Sequence, residues 1–243
     1  MKFALGFVGL AAAASLFTAS PALADAVTLG AADIGTSFTL NYDGYSSGTA
    51  INGLTGSTTF TLTGVSGNAY TFSYSVTDTS SSPVTGSRIS GFAFNTDPTI
   101  ASATSSGAFS YTTLNANYPN GIGTVDVCFK GASTGSCAGG GGGGVTQGST
   151  GTGSFTLNFS QPVSSLTLSD FYVRYQSITG VPGIGSASGT GTLTSTSTST
   201  STSSGGTSVP EPGMLGLMAG GLVAVGLMRR RRSVTATFAP AIA

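Results

Sequence analysis

An all-β antiparallel sandwich is the fold that this sequence predicts for its central part, and three observations lead to it. Apolar and polar residues alternate with a period of two in many short segments, as in strands that bury one face. No stretch between residues 25 and 208 shows the 3.6-residue period of an amphipathic helix. Residues typical of turns separate the segments, notably at Asp43-Gly44, Asn52-Gly53, Ser82-Pro83 and Asn120-Gly121.

About eight strands are predicted in chain order, at residues 38–42, 60–62, 70–76, 89–94, 108–114, 121–129, 155–159 and 163–175. Two packed antiparallel sheets would bury the apolar faces of these strands against each other. A jelly roll or an open barrel is the alternative. The alternation changes phase near Asp170, which predicts a β-bulge at that position.

Composition limits the chemistry that the chain can perform. Its 243 residues include eight Lys or Arg, eight Asp or Glu, and neither His nor Trp. Without His, a Ser-His-Asp or Cys-His mechanism and a His-ligated metal are excluded. Residues 25–208 carry three basic and seven acidic side chains, a net charge of −4, so nucleic acid is not an expected partner.

Cys128 and Cys137 are expected to form a disulfide, because an even number of cysteines in an exported segment favours one. The alternatives are a redox pair and half of a metal site, and the eight intervening residues and the missing His disfavour both. Six consecutive glycines follow at 139–144. No Lys-Ser/Thr pair comes after them, so a flexible surface loop is predicted rather than a phosphate-binding loop.

The seven aspartates of residues 25–208 are candidate Ca²⁺ ligands, but no Asp-x-Asp-x-Asp-Gly spacing occurs. The least unfavourable candidates are Asn95, Thr96, Asp97 and Asp170. Because the calcium-loop spacing is missing, no metal is predicted, and no cofactor is predicted either. A hydrolase would need two aspartates about 5–10 Å apart in a cleft. No catalytic residue is assigned, and the protein is expected not to be an enzyme. Arg174 is expected to pair with Asp170 or with another aspartate.

Residues 1–24 have the three parts of a secretory signal peptide. Lys2 provides the positive start, residues 3–17 form the apolar run, and Ala22 and Ala24 supply the small residues of the peptidase site. The alternative is a buried N-terminal helix. Export is expected, and the exported β domain is placed at residues 25–185.

Residues 186–208 are predicted to be a disordered stalk, because 194–204 is an unbroken Ser/Thr run with nothing to bury. Such a spacer is compatible with a bare linker and with an O-glycosylated one. The segment at 209–232 follows, and residues 233–243 form a short extension.

Residues 209–232 combine a short motif, an apolar run and a basic cluster. A helix over the fifteen residues 214–228 would be about 22 Å long, short of the roughly 20 residues of a typical span. Thinning of the bilayer absorbs part of this deficit, and a single transmembrane helix is predicted with its basic end in the cytoplasm. The motif consists of Val209, Pro210, Glu211 and Pro212, and the basic membrane stop signal of Arg229, Arg230, Arg231 and Arg232.

This ordered combination resembles the PEP-CTERM sorting domain of exosortase substrates. The resemblance implies a Gram-negative bacterium and an exosortase, a membrane protease that recognises Pro210-Glu211-Pro212 and cuts near it. The exported body would then be released or transferred to the cell surface. Two departures are the absence of a Trp at residues 213–215 and the eleven residues that follow the arginines.

The exported body is also similar to the PEP-cistern subset of these proteins, through residues 91–95 and 166–176 and the glycine loop after Cys137. The PEP-CTERM resemblance implies a surface or extracellular-matrix protein associated with exopolysaccharide and biofilm formation. The alternatives are a stalked carbohydrate-binding or Ca²⁺-dependent adhesive module and, less favoured, a hydrolase. Self-association is a further expectation, because edge strands with few charges are poorly protected. The exposed aromatics of a binding module would be Tyr42, Tyr45, Tyr70, Tyr111 and Tyr118.

Overall fold

The computed structural model describes residues 25–134 and 136–197, which form twelve β-strands and one short 3-10 helix at Ala31–Asp33. All strand pairs in this part are antiparallel, so the predicted all-β antiparallel class is confirmed. The strands are β1 (Val27–Gly30), β2 (Ser37–Ser46), β3 (Thr49–Ser66), β4 (Ala69–Asp78), β5 (Gly86–Asp97), β6 (Ser102–Gly107), β7 (Tyr111–Tyr118), β8 (Gly123–Lys130), β9 (Val145–Thr146), β10 (Thr150–Asn158), β11 (Ser165–Thr179) and β12 (Ser186–Ser197).

Hydrogen bonds join these strands into one sheet rather than two. The order is β6-β10-β4-β3-β2-β12-β11-β5-β8-β7, with β1 added to β11 and β9 added to β5. The end strands β6 and β7 follow each other in the chain, and Thr112 Oγ1 of β7 donates to the Ala103 carbonyl of β6 at 3.2 Å. The sheet is therefore nearly closed and barrel-like.

The predicted pair of sheets corresponds to two halves of this single sheet. We call β6, β10, β4, β3 and β2 the hydroxyl half, and β11, β5, β8 and β7 the covered half. β12 pairs with β2 on one side and with β11 on the other, so it bridges the two halves. This bridge makes the structure one sheet and corrects the prediction of two separate sheets. The prediction missed the bridge because β12 lies in the segment predicted to be a stalk.

β12 also corrects the predicted domain boundary after residue 185. Ala187 and Ser188 are fully buried in the sheet. A Cβ atom at Gly191 would lie only 2.9 Å from Phe171 Cβ and from the Tyr42 ring, so the aromatic side chains leave room only for glycine. The folded unit thus includes residues 186–197, and the first residues of the predicted Ser/Thr stalk belong to a strand.

Phenylalanine rings from both halves meet in the core. Phe60 of β3 lies at the centre, with its ring centroid 5.4 Å from those of Phe38 and Phe92 and 5.7 Å from that of Phe155. Its side chain is 1% exposed. Burial of such side chains is worth about 1.5–3 kcal/mol each, so this cluster holds the opposite halves of the sheet together.

The predicted turns are confirmed only in part. Asn120-Gly121 lies at the centre of the turn at 119–122 between β7 and β8, with positive φ at both residues, a conformation that Asn and Gly adopt more readily than other residues. Asp43-Gly44 lies inside β2 at a register shift, and Asn52-Gly53 lies inside β3. The bulge predicted near Asp170 is confirmed by the register shift between Ser169 and Tyr172 and by a φ of 52° at Asp170.

Several predicted segments lie outside the described residues. They are the signal peptide with Ala22 and Ala24, the remainder of the stalk at 198–208, the sorting segment at 209–232 and the extension at 233–243. Within residues 25–134 and 136–197, the structure contains no helix with the length and apolar character needed to span a membrane.

Candidate functional site

The disulfide between Cys128 and Cys137 is present, as predicted, and fastens a loop over the covered half. Both cysteines are buried and pack with Ala93, Tyr118 and Val125 in a second, smaller apolar cluster. Consecutive residues of β5 and β8 are buried, so both faces of these strands are covered. The main core covers one face, and this smaller cluster packs on the other.

The glycine run at 139–144, predicted to be a flexible surface loop, is exposed at Gly141 and Gly142 but packs closely against other backbone at its C-terminal end. A Cβ atom at Gly143 would collide with the Gly131 carbonyl oxygen, and one at Gly144 would collide with the Ile89 carbonyl. Gly144 also has a φ of 110°, which favours glycine. A Cβ atom at Gly142, by contrast, would meet open space. At least two of these glycines are thus required by close backbone approach.

Arg174 of β11 lies beneath this loop, and the prediction that it pairs with Asp170 is wrong. The side chain is 7% exposed. Its Nη2 donates to Ser186 Oγ at 2.7 Å and its Nε donates to the Ala138 carbonyl at 3.2 Å. With its amide oxygen facing inward, Asn120 accepts from Arg174 Nη1 at 3.1 Å. Burial lowers the pKa of the Arg174 guanidinium, and neutral oxygen atoms solvate the charge.

Lys130, at the end of β8, is the second buried cation. It is 2% exposed, and its Nζ donates to the Thr134 carbonyl. Burial lowers the pKa of this amine. Both Lys130 and Arg174 therefore hydrogen-bond to loop carbonyls and stabilise the loops that cover this half.

The calcium candidates are occupied by hydrogen bonds within the fold. Asp170 Oδ2 accepts from Asn95 Nδ2 at 3.0 Å, while Asp126 Oδ2 accepts from the Thr96 backbone N–H at 2.8 Å. Asp97 is exposed at the end of β5. Among residues 25–134 and 136–197, no three His, Cys, Asp or Glu side chains are placed to hold a metal ion.

The tyrosines proposed as a binding platform are mostly in the interior. Tyr42, Tyr70 and Tyr118 are at most 2% exposed, so the prediction is wrong for them. Tyr111 is 44% exposed and Tyr45 is half-buried. Burial raises the pKa of Tyr42 and Tyr118 well above the ordinary value. The exposed aromatics needed to stack on a sugar are therefore not assembled on one face.

A polar cleft beside Arg88 is a feature that the sequence analysis missed. The cleft has a volume of about 600 Å³ and lies where β9 and β11 flank β5. Its lining includes the side chains of Thr85, Arg88, Thr146, Gln147, Ser177 and Thr179. Arg88 belongs to no motif, but it is one of only three basic residues between positions 25 and 208, and that scarcity was the available signal.

Two further clefts in the described part are mainly apolar. One, of about 240 Å³, lies between the β2–β3 turn and a loop that contains Val181 and Ile184. The other, of about 410 Å³, is lined by Pro98, Phe159, Pro162 and Val163. Neither contains a charged side chain, so the Arg88 cleft is the one of these three with a group for ionic recognition.

Comparison with known families places a functional signal at the C-terminal end of the sequence. The family described as the PEP-CTERM protein-sorting motif matches residues 208–232. The chain is a PEP-CTERM domain-containing protein. The predicted sorting residues Val209, Pro210, Glu211 and Pro212 and the four arginines 229–232 fall inside the match. No curated protein and no solved structure matches the chain significantly.

The PEP-CTERM motif is a sorting signal that an exosortase recognises, and it marks the protein for export and sorting to the cell surface. The matched residues lie outside the described part of the chain. The motif says nothing about a chemical activity of the β unit, and membership of the PEP-cistern subset stays a prediction.

Proposed function

We propose that this PEP-CTERM protein is a non-enzymatic extracellular protein, cleaved by an exosortase at Pro210-Glu211-Pro212 and associated with exopolysaccharide in a biofilm matrix. The observation that carries the proposal is the sorting motif at residues 208–232. The predicted signal peptide at 1–24 supports export of the β unit. The four arginines at 229–232 would keep the C-terminal end of the apolar segment in the cytoplasm until cleavage.

A non-enzymatic role is supported by what the fold does with its carboxylates. Asp78 accepts hydrogen bonds from the Ser80 backbone N–H and from Ser87 Oγ. Asp126 and Asp170 are bound by neighbouring groups in the same way. Glycoside hydrolysis needs an acid and a base carboxylate paired in an open cleft. These contacts instead tie each carboxylate to neighbouring groups of the fold.

Sorting is tested in the native host by replacing the acidic residue of the motif. We expect Glu211→Gln to move the protein from the extracellular fraction to the inner membrane, because the protease would no longer recognise its signal. Asp97→Asn is the matched control, since it removes the same charge at an exposed position of the β unit. A Glu211→Gln variant distributed like wild type would contradict cleavage at the motif.

Association with polysaccharide is tested by pull-down of the full chain on exopolysaccharide from the same host, with and without Ca²⁺. We expect retention in both conditions, because Asp78, Asp126 and Asp170 are engaged within the fold and no three acidic side chains of the described residues are placed to hold a metal ion. Retention only with Ca²⁺ would favour the alternative of a calcium-dependent adhesive module. Absence of retention in both would contradict the association.

A further inference from the structure

Arg88 is the one basic side chain of residues 25–134 and 136–197 that is not buried. Lys130 and Arg174, the other two, are enclosed and hydrogen-bonded to oxygen atoms of the fold. Arg88 Nη2 donates to Gln176 Oε1 at 3.2 Å, and no carboxylate of the described residues lies within ion-pair distance of its guanidinium. The structure thus places an uncompensated positive charge in the segment of residues 25–208, whose net charge is −4.

The guanidinium also has a donor without a partner. Arg88 Nε is buried and makes no hydrogen bond within the described part of the chain. An unpaired buried donor is destabilising, so such groups are usually satisfied by protein, water or ligand. A carboxylate in the cleft that accepted from the guanidinium would form charge-assisted hydrogen bonds, which are about twice as strong as neutral ones.

The rest of the cleft wall is uncharged and rich in hydroxyl groups. Thr85 and Thr179 pair across the wall with their Oγ1 atoms 3.1 Å apart, and the Ser177 hydroxyl is exposed. Gln147 donates its Nε2 protons to the Ser80 and Val84 carbonyls, which leaves its Oε1 as an acceptor. Asp78, which lies behind Ser87, is already bound by Ser80 and Ser87.

We propose that the Arg88 cleft binds a uronic acid residue of an acidic saccharide, with the sugar carboxylate at the guanidinium and the sugar hydroxyls against the Ser, Thr and Gln wall. A single guanidinium matches a single carboxylate by bidentate hydrogen bonding. A volume of about 600 Å³ is within the ordinary range of small-ligand clefts, roughly 300–1,000 Å³. This inference rests on the proposed association with polysaccharide and names the chemical group that would be recognised.

The test is calorimetric titration of the full chain with trigalacturonate, with its neutral methyl ester, and with inorganic phosphate alone. We expect measurable binding of trigalacturonate, at least about tenfold weaker binding of the ester, and weaker binding of phosphate, which cannot use the hydroxyl wall. Arg88→Gln should weaken trigalacturonate binding by about tenfold or more. Added salt should weaken wild-type binding, because the contact is ionic and partly exposed.

A second pair of variants keeps the inference testable if Arg88→Gln does not fold. Thr179→Ala removes a hydroxyl of the cleft, and Thr77→Ala removes the same kind of hydroxyl from the pair with Thr150, 2.8 Å apart and outside the cleft. We expect Thr179→Ala to weaken binding several-fold and Thr77→Ala to leave it unchanged. Equal affinities for the two variants would overturn the site.

Other results would also overturn the inference. They are a folded Arg88→Gln chain with wild-type affinity, an ester that binds as tightly as the acid, phosphate that binds as tightly as trigalacturonate, or a wild-type chain that binds no trigalacturonate. Failure of the cleft is distinguishable from failure of the proposed function. A chain that is cleaved at its sorting motif and retained on exopolysaccharide, yet binds no trigalacturonate, loses only the Arg88 site.

Discussion

The hydroxyl half and the covered half of the sheet share one aromatic core but differ on their outer faces. In the hydroxyl half, outward Ser and Thr side chains pair across strands, as Thr39 with Thr59 at 2.9 Å and Thr71 with Thr156 at 3.1 Å. In the covered half, the outer faces of β5 and β11 lie beneath the glycine loop, the disulfide and the β7–β8 turn. One outer face is thus formed by side chains alone, and the other is covered by a second layer of backbone.

Strand register differs in the same way. β10 and β4 pair without a shift over nine consecutive residues, whereas the pairing of β11 with β5 shifts three times. Bulges re-aim side chains and are frequent near functional sites. The Arg88 cleft lies beside the shift between Gln176 and Thr179. Single shifts also occur in β2–β3 and β3–β4 of the hydroxyl half, so the comparison teaches that irregular pairing is concentrated at β11–β5, which borders the candidate binding cleft.

The largest effect is expected for the core that both halves share. Phe60→Ala should lower the free energy of unfolding by about 3–5 kcal/mol, because this ring contacts five other phenylalanines. Urea unfolding followed by tyrosine fluorescence measures the change. Thr59→Ala, one residue away on the outer face, is the control and should cost less than about 1 kcal/mol. Similar costs for the two variants would contradict a core joined through Phe60.

The second effect tests whether backbone packing covers the covered half. Gly144→Ala should cost about 2–3 kcal/mol, because its Cβ would meet the Ile89 carbonyl at a φ of 110°. Gly142→Ala, in the same run of glycines, has open space and should be neutral or slightly stabilising. Thermal unfolding of the two variants side by side gives the answer. A loop without fixed contacts to β5 would tolerate both substitutions equally.

Alkaline pH should destabilise the fold through three buried tyrosines. Burial raises the pKa of Tyr42, Tyr118 and Tyr175 in the folded chain. Above about pH 10 the unfolded chain loses these protons and the folded chain keeps them. Stability is therefore fully present below pH 10 and falls above it, by about 1.4 kcal/mol per pH unit for each such tyrosine. Burial lowers the pKa of Lys130, so this amine raises stability with pH only up to about pH 10.4, where the unfolded chain also loses the proton.

Tyr→Phe variants separate the two halves in this experiment. The Tyr42 hydroxyl lies 2.9 Å from Thr58 Oγ1 in the hydroxyl half. The hydroxyls of Tyr118 and Tyr175 are buried in the covered half without a partner among the described residues. Tyr42→Phe should cost about 1 kcal/mol at pH 7, and Tyr118→Phe and Tyr175→Phe should be near neutral. All three should reduce the alkaline slope in urea unfolding, and an unchanged slope would contradict the burial of these groups.

The smallest effect is expected for the outer face of the hydroxyl half. Thr39→Ala removes one cross-strand hydroxyl pair and should cost about 0.2–1 kcal/mol. Double-mutant cycles with Thr59→Ala measure the coupling directly. A coupling energy of several kcal/mol would mean that the exposed pairs, rather than the core, hold these strands in register.

The sequence predicted four of the five strands of the hydroxyl half, β2, β3, β4 and β10, because apolar and polar residues alternate in them. Phe38, Leu40 and Tyr42 point inward while Ser37, Thr39 and Asn41 point outward. The same pattern also argues that Tyr42 and Tyr70 are buried, since each is in phase with phenylalanines of its own strand. Their assignment as exposed aromatics was wrong because that phase was not applied to them.

Two of the strands that the sequence analysis missed, β12 and β6, contain few large apolar residues. The inward positions of β12 are Ala187, Gly189 and Gly191, small because the rings of Tyr42, Phe171 and Tyr175 fill the space beside them. The low hydrophobicity of this strand resembles that of a linker, although small residues still alternate with Ser and Thr. β6 is almost entirely Ser, Thr, Ala and Gly for a different reason, since it lies at the exposed end of the sheet.

The features of the covered half depend on long-range contacts that alternation does not encode. Cys128 and Cys137 were paired correctly because they are the only two cysteines. The neighbours of Arg174 come from β12 and from the loop at Ala138, both far away in the sequence. The Arg88 cleft likewise combines residues from β5, β9 and β11. The C-terminal sorting motif, by contrast, is local and can be found from consecutive residues.

The most direct test of the central claim is the intact mass of the protein recovered outside the cell, compared with the Glu211→Gln variant. We predict that the wild-type chain has lost residues 1–24 and the segment beyond Pro210-Glu211-Pro212, and that the variant retains its C-terminal segment in the inner membrane. A mass excess on the cleaved chain would reveal glycans on the Ser/Thr segment. A wild-type chain that keeps residues 213–243 in the inner membrane would contradict sorting by an exosortase.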